Sequence, residues 1–464
     1  MAKVNANACR KRRSRKKKSK KEESKQKEEP SDDEEENEEM DESQWSALPD
    51  IALLSIYEYL CDADRARMAL VCTNWSRIFS CPVLWRWRKY ILGATNGNRI
   101  GEKACGFIKR FGHHMRSLNI GFISTNFRNF NHIATQSELI FKNLTYFNKL
   151  RLERFTLSVA NMGQQWHNPR SRHQMLDALC RFLRRLHHLD VINLVAARMI
   201  ISDGCRVLQS LSRGKASQTL SSLFIEDMFQ RNIIPSASRR FANAMCKFQN
   251  IQLAYMNYNM INDRILEHLA CIHIRKLTLT LDTIVARRVI LSDHWKHFRA
   301  ISSQSEVALQ IYAAGFRQIV SDVLVRGIPL VQLEIVSWPG LSDARAMMDA
   351  QMPLLLRHIA STFSLTLEFF RLSMDAHLPF DAELCYLLTK CKSLRALNLY
   401  CSLSVSTIKE MCVLQETGKM KLKSLKLAVH GLSPFDMEQL NSTRERLVNA
   451  ITDKKSGNAS ATPS

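Results

Sequence analysis

The sequence of 464 residues lacks the features that mark membrane and secreted proteins. No run approaches the roughly 18–20 apolar residues of a membrane span, so we expect no membrane partner. The 13 cysteines are an odd number and are scattered without a Cys-x-x-Cys pair, which indicates reduced thiols rather than a disulfide framework. The first residues are charged and contain no apolar stretch typical of a signal peptide. We therefore expect a cytoplasmic or nuclear protein.

Motifs of catalytic and cofactor sites are also absent from the sequence. It contains no Gly-x-x-x-x-Gly-Lys-Ser/Thr, no His-Glu-x-x-His, no Gly-x-Ser-x-Gly and no dinucleotide-binding glycine set. Four cysteines, Cys385, Cys391, Cys401 and Cys412, lie close in sequence, but their spacing matches no common zinc site and their surroundings are apolar. The sequence therefore predicts a protein without enzymatic activity, cofactor or metal, whose clustered cysteines belong to a core.

Positive charge is abundant, and its distribution is uneven. The chain has 66 Lys+Arg against 44 Asp+Glu, a formal charge of +22. Residues 1–44 hold 13 of each sign, residues 45–92 hold 6 basic and 4 acidic residues, and residues 331–464 hold 15 and 13. Residues 93–330 hold 32 and 14, so they carry most of the excess. Such an imbalance favours an acidic or phosphorylated partner for the middle of the chain.

Residues 1–44 are predicted to form a disordered charged tail. Its basic block, 10–21, is followed by an acidic block, 28–42, and neither can bury a core. Two interpretations stay open for the basic block: a nuclear localisation or nucleic-acid-contacting segment, or a solvated segment that pairs with the acidic half of the same tail.

A small helical module is predicted at residues 45–92. Pro49 suits the first turn of a helix, Asp64 suits an N-cap, and a third short piece follows at 83–85. Apolar residues recur at helical spacing in the first two helices, at Leu53, Ile56, Tyr57 and Leu60, then at Met68, Val71, Cys72, Trp75, Ile78 and Phe79. Three short helices make a very small core, so we expect a partner to cover the remaining apolar surface. The alternative is a helical subdomain that packs only on its own chain.

This module resembles an F-box. The matching residues are Leu48-Pro49, Leu54, Ile56, Leu60, Asp64, Val71-Cys72, Trp75 and Leu84-Trp85-Arg86. The sequence departs from the family at Arg65, where most F-boxes carry Leu. The resemblance implies docking onto a Skp-type adaptor, which connects to a cullin and a RING subunit. The residues assigned to adaptor binding, some of them as core rather than contact, are Leu48, Pro49, Leu54, Ile56, Leu60, Val71, Trp75, Leu84 and Trp85.

Leucine-rich, strand-like segments recur about every 24 to 37 residues after residue 116, and helical patterns such as 175–183 and 382–388 lie between them. The segments are 117–120, 152–157, 189–194, 220–225, 251–253, 277–281, 307–311, 331–335, 365–367, 394–399 and 422–427. We therefore predict an α/β fold: a short all-α F-box, a linker at 93–115, an irregular leucine-rich-repeat-like solenoid at 116–430, and a C-terminal cap and tail at 431–464. An α/β layer of another kind is the alternative. Two stretches, 64–72 and 225–227, are most similar to one group of F-box proteins with degenerate repeats.

The resemblance implies a non-catalytic substrate receptor of a multi-subunit ubiquitin ligase, with a target protein bound by the repeats. The residues assigned to an acidic or phosphorylated target are Arg181, Arg184, Arg185, Arg239, Arg240, Arg275, Lys276, Arg287 and Arg288. The alternative is a nuclear nucleic-acid-binding or chromatin scaffold that uses the basic tail and repeats. No RRM, KH, zinc-finger or helix-turn-helix signature supports that alternative, so nucleic acid is the less favoured partner.

Overall fold

The computed structural model describes residues 45–93, 100–123, 130–160, 169–282, 289–313, 317–337, 342–374 and 380–429. The chain divides into two compact units, one ending at Phe79 and the other beginning at Ser80. The charged tail at 1–44, the C-terminal segment at 431–464, Arg287 and Arg288 lie outside the described residues.

The first unit consists of α1 (Asp50–Tyr59), α2 (Asp62–Met68) and α3 (Thr73–Phe79). Leu53 and Tyr57 of α1 are fully buried and pack with the buried side chains of α3, namely Trp75, Ile78 and Phe79. The Tyr57 hydroxyl donates a 2.9 Å hydrogen bond to the carbonyl oxygen of Trp75, which satisfies a polar group that burial would otherwise leave unpaired.

The apolar periodicity after Asp64 predicts one helical face, whereas the structure divides this segment into α2 and α3. Residues 69–71 form a turn in which the amides of Leu70 and Val71 donate to carbonyls three residues earlier. These tighter bonds end α2. Asp64 lies in the first turn of α2 rather than at its N-cap, which is Cys61. The break leaves Val71 exposed and lets Trp75 enter the core.

The second unit is a single parallel sheet of 12 strands among the described residues, in which strand order follows chain order. The strands are β1 (Trp87–Leu92), β2 (Ser117–Ile123), β3 (Arg154–Ala160), β4 (Val191–Asn193), β5 (Ser222–Phe224), β6 (Leu253–Asn257), β7 (Lys276–Asp282), β8 (Glu306–Ala313), β9 (Leu330–Ser337), β10 (Phe369–Ser373), β11 (Ala396–Cys401) and β12 (Ser424–Val429). The helices between them are α4 (Ile100–Phe111), α5 (Phe130–Tyr146), α6 (Pro169–Arg184), α7 (Ile201–Arg213), α8 (Ala216–Thr219), α9 (Arg239–Met245), α10 (Asp263–Cys271), α11 (Ser292–Ile301), α12 (Arg317–Asp322), α13 (Ser342–Thr362), α14 (Asp381–Lys390) and α15 (Val405–Glu416).

Among the described residues each strand pairs with its neighbours in the chain, with one register shift between β8 and β9, which is the connectivity of a repeat solenoid. Alternate strand residues such as Leu277, Leu279 and Leu281 are buried in one apolar core that runs the length of the sheet. A helical F-box-like region followed by a parallel α/β repeat array confirms the predicted fold class. The predicted helices at 175–183 and 382–388 lie within α6 and α14.

Three segments differ from the predicted boundaries. The predicted F-box segment includes β1, which pairs with β2 in the second unit. The predicted linker, 93–115, contains α4, which packs beside α5 as a regular part of the array. Of the predicted strand at 365–367, Leu365 and Thr366 lie in a turn, with Leu365 81% exposed, and β10 begins only at Phe369. There Phe370 and Leu372 are the inward-facing residues.

Candidate functional site

Large apolar side chains are exposed on the first unit. Tyr59 is 92% exposed, Leu70 85%, Ile51 80% and Val71 65%. Ile51 and Tyr59 lie on the side of α1 opposite the buried Leu53, and Leu70 and Val71 occupy the turn between α2 and α3. In a unit this small, several such side chains together mark an interaction surface rather than ordinary surface composition.

The segment that leads into α1 is held in place by α3. The side-chain amide of Asn74 donates to the carbonyl oxygens of Ser46 at 3.0 Å and Leu48 at 3.3 Å. The Trp75 indole nitrogen donates to the carbonyl oxygen of Trp45 at 3.0 Å. These bonds fix Leu48 half-buried and leave the following Pro49 exposed at the surface.

An ion pair connects the first residue of α1 with α3. The Arg77 guanidinium donates to both carboxylate oxygens of Asp50, one bond measuring 2.9 Å, and this hydrogen bonding lowers the pKa of Asp50. A depressed carboxylate pKa contributes stability above the unfolded-state value, and that contribution is lost as the pH falls through the folded-state value. Because both side chains are exposed, the pair orients the helices more than it stabilises them.

Arg65, the departure from the F-box pattern, caps the carboxyl end of α1. Its Nε donates to the Tyr57 carbonyl oxygen at 2.7 Å and its Nη2 to the Glu58 carbonyl oxygen at 3.3 Å. The side chain is only 13% exposed and lies 3.9 Å from the Asp62 carboxylate. A cation at this end donates to carbonyls of the last helical turn, one of which also accepts from the Leu60 amide, and interacts favourably with the helix dipole. Arg65 therefore connects α1 to α2 through polar contacts that the usual Leu cannot make.

We expect Arg65→Leu to destabilise the first unit by about 1.5–3 kcal/mol, because hydrogen bonds from a charged group to the carboxyl end of α1 are lost. Hydrogen exchange of the α1 amides in the full chain measures this as faster opening. The matched control is Arg67→Leu, since Arg67 is exposed and pairs with Asp64 of the same helix at 2.7 Å. Equal effects of the two substitutions would contradict the capping role of Arg65.

The residues predicted to bind an adaptor fall into three classes of exposure. Two of these residues lie in the second unit. Leu84 and Trp85 form a 3₁₀ turn there, and Trp85 stacks on Phe111 at a ring distance of 4.6 Å. Exposed are Pro49 and Val71; half-buried are Leu48, Leu54, Ile56 and Leu60; buried are Trp75, Leu84 and Trp85. The buried three belong to cores and are not available as surface contacts.

Sequence reasoning missed three of the most exposed side chains, Ile51, Tyr59 and Leu70. A signal existed for two of them. Ile51 and Tyr59 fall on the opposite side of a 3.6-residue helix from Leu53 and Tyr57. For Leu70 the position of the turn had to be known first.

The basic residues predicted to bind a target lie at different edges of the sheet. Arg181 and Arg184 are exposed near the carboxyl end of α6, followed by Arg185; Arg275 and Lys276 precede or begin β7. In a strand–helix repeat, helix carboxyl ends and strand amino ends share one edge. Arg239 and Arg240 begin α9 and lie at the opposite edge. The structure therefore separates these residues into at least two groups.

Three other basic residues meet in a recess of about 360 Å³ formed by the helices. Arg213 of α7, Lys247 after α9 and Arg264 of α10 line it, and Arg264 donates to the Asn243 side-chain oxygen at 2.8 Å. Their separation in sequence hides this proximity, which depends on the stacking of consecutive repeats.

The four clustered cysteines are buried in the C-terminal repeats. Burial raises the pKa of Cys391 to about 12, and burial together with neighbouring carboxylates raises those of Cys385 and Cys401 to about 12. These thiols stay protonated at neutral pH and are poor nucleophiles. Among the described residues no group of three or more His, Cys, Asp or Glu side chains could hold a metal ion.

Comparison with known proteins finds a family match at the first unit. Residues 45–89 match the family model described as F-box-like. The F-box/LRR-repeat protein 21 of mouse is 45% identical over 42 residues, which are 9% of this chain and 10% of the mouse protein. The sheep protein of the same name is 43% identical over the same length. The chain thus matches about a tenth of the length of these curated relatives. The family match ends at residue 89 and so includes Leu84 and Trp85, although they pack in the second unit.

Among solved structures, the leucine-rich repeat-containing protein LegL7 from Legionella pneumophila resembles 79% of this chain and 98% of its own, with 12% identity and a TM-score of 0.37. Within the described residues, no helix has both the length and the apolar character needed to cross a membrane.

Proposed function

We propose that this chain is the substrate-recognition subunit of a Skp–cullin–F-box ubiquitin ligase. The first unit docks a Skp-type adaptor, the adaptor connects to a cullin and a RING subunit, and the repeat array binds the protein to be ubiquitinated. The observation that carries the proposal is the F-box-like match of residues 45–89, together with the exposed apolar side chains of the same segment.

The exposed side chains are of the kind that anchors helices in an apolar groove. Ile51 and Tyr59 project from one helix, and Leu70 and Val71 from the adjacent turn. Buried aromatic and aliphatic anchors dominate the energetics of such interfaces. A partner groove would remove these side chains from water, which supports the assignment of this surface to the adaptor.

The repeat array supports a binding role rather than a catalytic one. A long parallel sheet built from small repeats offers an extended surface for a protein partner. Holding a target beside a ubiquitin-conjugating enzyme converts a bimolecular encounter into an effectively intramolecular one, so the receptor accelerates transfer by proximity alone. Within this class, stretches 64–72 and 225–227 support a relationship to F-box only protein 39 and its relatives, and the target's acidic or phosphorylated character stays a prediction.

The experiment is affinity purification of the tagged full chain from cells, followed by detection of the adaptor, cullin and RING subunits. We expect all three to co-purify, and bound target proteins to accumulate when cullin activity is inhibited. If neither adaptor nor cullin co-purified, and the chain bound nucleic acid with an affinity that fell as salt was raised, the result would instead support the nucleic-acid-binding alternative.

A further inference from the structure

A cavity of about 370 Å³ opens at the carboxyl ends of β5 to β9. Three carboxylates, Glu226, Asp227 and Asp282, line it against one guanidinium, that of Arg231. Apolar side chains, among them Phe229 and Met260, form the rest of its wall. The cavity is therefore acidic, although it lies within the most basic part of the chain.

The turn after β5 places two of the carboxylates. Asp227 has a left-handed backbone with φ of 49°, and its amide donates to the Asn257 side-chain oxygen at 2.7 Å. In return the Asn257 side-chain nitrogen donates to the Asp227 carboxylate at 3.0 Å. This reciprocal pair connects the turn to the end of β6 and fixes the Asp227 carboxylate at the rim.

Glu226 lies deeper than a surface carboxylate. Burial raises its pKa, the nearby Asp227 carboxylate adds to the rise, and the hydroxyls of Tyr255 and Thr280 offset it only in part. Thr280 is 4% exposed and lines the cavity; its hydroxyl lies near Glu226 and Tyr255 but does not meet the geometry of a hydrogen bond to any described residue. A ligand with hydrogen-bond donors would satisfy both groups.

On the neighbouring face of the sheet, a half-buried carboxylate is paired with a cation of the same chain. Glu334 of β9 accepts a hydrogen bond from the Gln332 side-chain amide at 2.7 Å and lies 3.5 Å from the Arg371 guanidinium of β10. Beside it, the Tyr255 hydroxyl donates to Gln310 at 2.8 Å. Glu334 therefore has a cation from its own chain at 3.5 Å, whereas Asp227 is a carboxylate neighbour that raises the pKa of Glu226.

We propose that the cavity binds a lysine or arginine side chain from a segment of a partner protein. The aliphatic stem of such a side chain packs along Phe229 and Met260, and its cation reaches Glu226 and Asp227. A long side chain with an apolar stem and a charged end fits a cavity with apolar walls and acidic lining. The identification of that partner as the target for ubiquitination rests on the proposed function.

The test uses the full chain purified with its adaptor. A library of random 12-residue peptides displayed on phage is selected on this complex, and the enriched peptides are labelled and titrated by fluorescence polarisation. We expect them to share a Lys or Arg whose replacement by Gln weakens binding at least about tenfold, as does Glu226→Gln with Asp227→Asn in the protein. Combining both changes should cost little more than either, because they remove one interaction.

Matched controls are Glu153→Gln and Glu368→Gln, exposed carboxylates elsewhere on the array, which should leave the affinity unchanged. Unaltered thermal unfolding of the Glu226→Gln, Asp227→Asn variant excludes misfolding as the cause of a loss. Enrichment of peptides that share no Lys or Arg, selection of no peptide, or undiminished affinity of the variant would overturn the inference. The adaptor bound to the chain reports on the proposed function separately, so the two can fail independently.

Discussion

A Tyr59→Asp, Leu70→Asp double variant should bind a Skp-type adaptor about a hundredfold more weakly, or not at all. Both side chains are almost fully exposed, so the substitutions leave the core of Leu53, Tyr57 and Trp75 intact. Each places a carboxylate where the proposed interface is apolar. Loss of a single well-placed anchor typically costs about 2 kcal/mol or more, and burying an unpaired charge adds to that cost.

Isothermal titration of purified adaptor into the full chain measures the effect. The matched control is Leu365→Asp, because Leu365 is 81% exposed in the turn before β10 and lies outside the F-box-like segment. The control should bind with wild-type affinity. If the double variant also kept wild-type affinity, the exposed surface of the first unit would not be the docking surface.

Trp85→Ala should destabilise the second unit by about 3–5 kcal/mol, the usual cost of removing a large aromatic side chain from a core. Trp85 is 2% exposed and stacks on Phe111, with Phe107 at a ring distance of 5.5 Å. The Arg88 guanidinium lies 5.7 Å from its ring. The cavity would open where β1 and α4 begin the array.

Hydrogen exchange of the β1 and α4 amides in the full chain measures this loss of stability. Repeats at the end of an array can open without the later repeats, so the exchange of β1 and α4 can be followed separately. Under conditions in which the variant stays folded, its affinity for the adaptor should be close to that of the wild type. Normal protection of β1 and α4 with loss of adaptor binding would instead make Trp85 a direct contact, as the F-box resemblance implied.

The fold was predictable because its signal is repeated many times. Strands such as β7 and β11 bury alternate leucines, and the same pattern recurs wherever a repeat stacks on the next. Strand β1 was missed because basic residues interrupt it and only Tyr90 and Leu92 are buried. Strand β10 was predicted too early in the chain because the leucine pattern includes the exposed Leu365, whereas the buried strand residue is Phe370.

The candidate site was less predictable, since exposure depends on where helices end. The motif named residues that are apolar and regularly spaced, but spacing alone does not distinguish the buried Trp75 from the exposed Val71. The same limit applies to charge. Arg213, Lys247 and Arg264 come together only through the stacking of repeats, and Glu226 joins Asp282 only because two strands end at the same edge.

The basic and acidic side chains of the middle repeats therefore lie on different surfaces. Basic side chains lie on the helices and at both sheet edges, while the cavity at the carboxyl ends of the strands is acidic. A target with both an acidic surface and a basic side chain would satisfy the two together. The net charge of this part of the chain predicted the basic surfaces but gave no indication of the acidic cavity.

Hydrogen–deuterium exchange of the full chain with and without purified Skp-type adaptor tests the central claim most directly. We predict added protection in peptides that cover α1 and the turn at 69–71, and none in β5 to β9 around the acidic cavity. Protection that instead falls on the repeat array, or exchange that the adaptor leaves unchanged throughout, would contradict the assignment of the F-box-like unit as the docking surface.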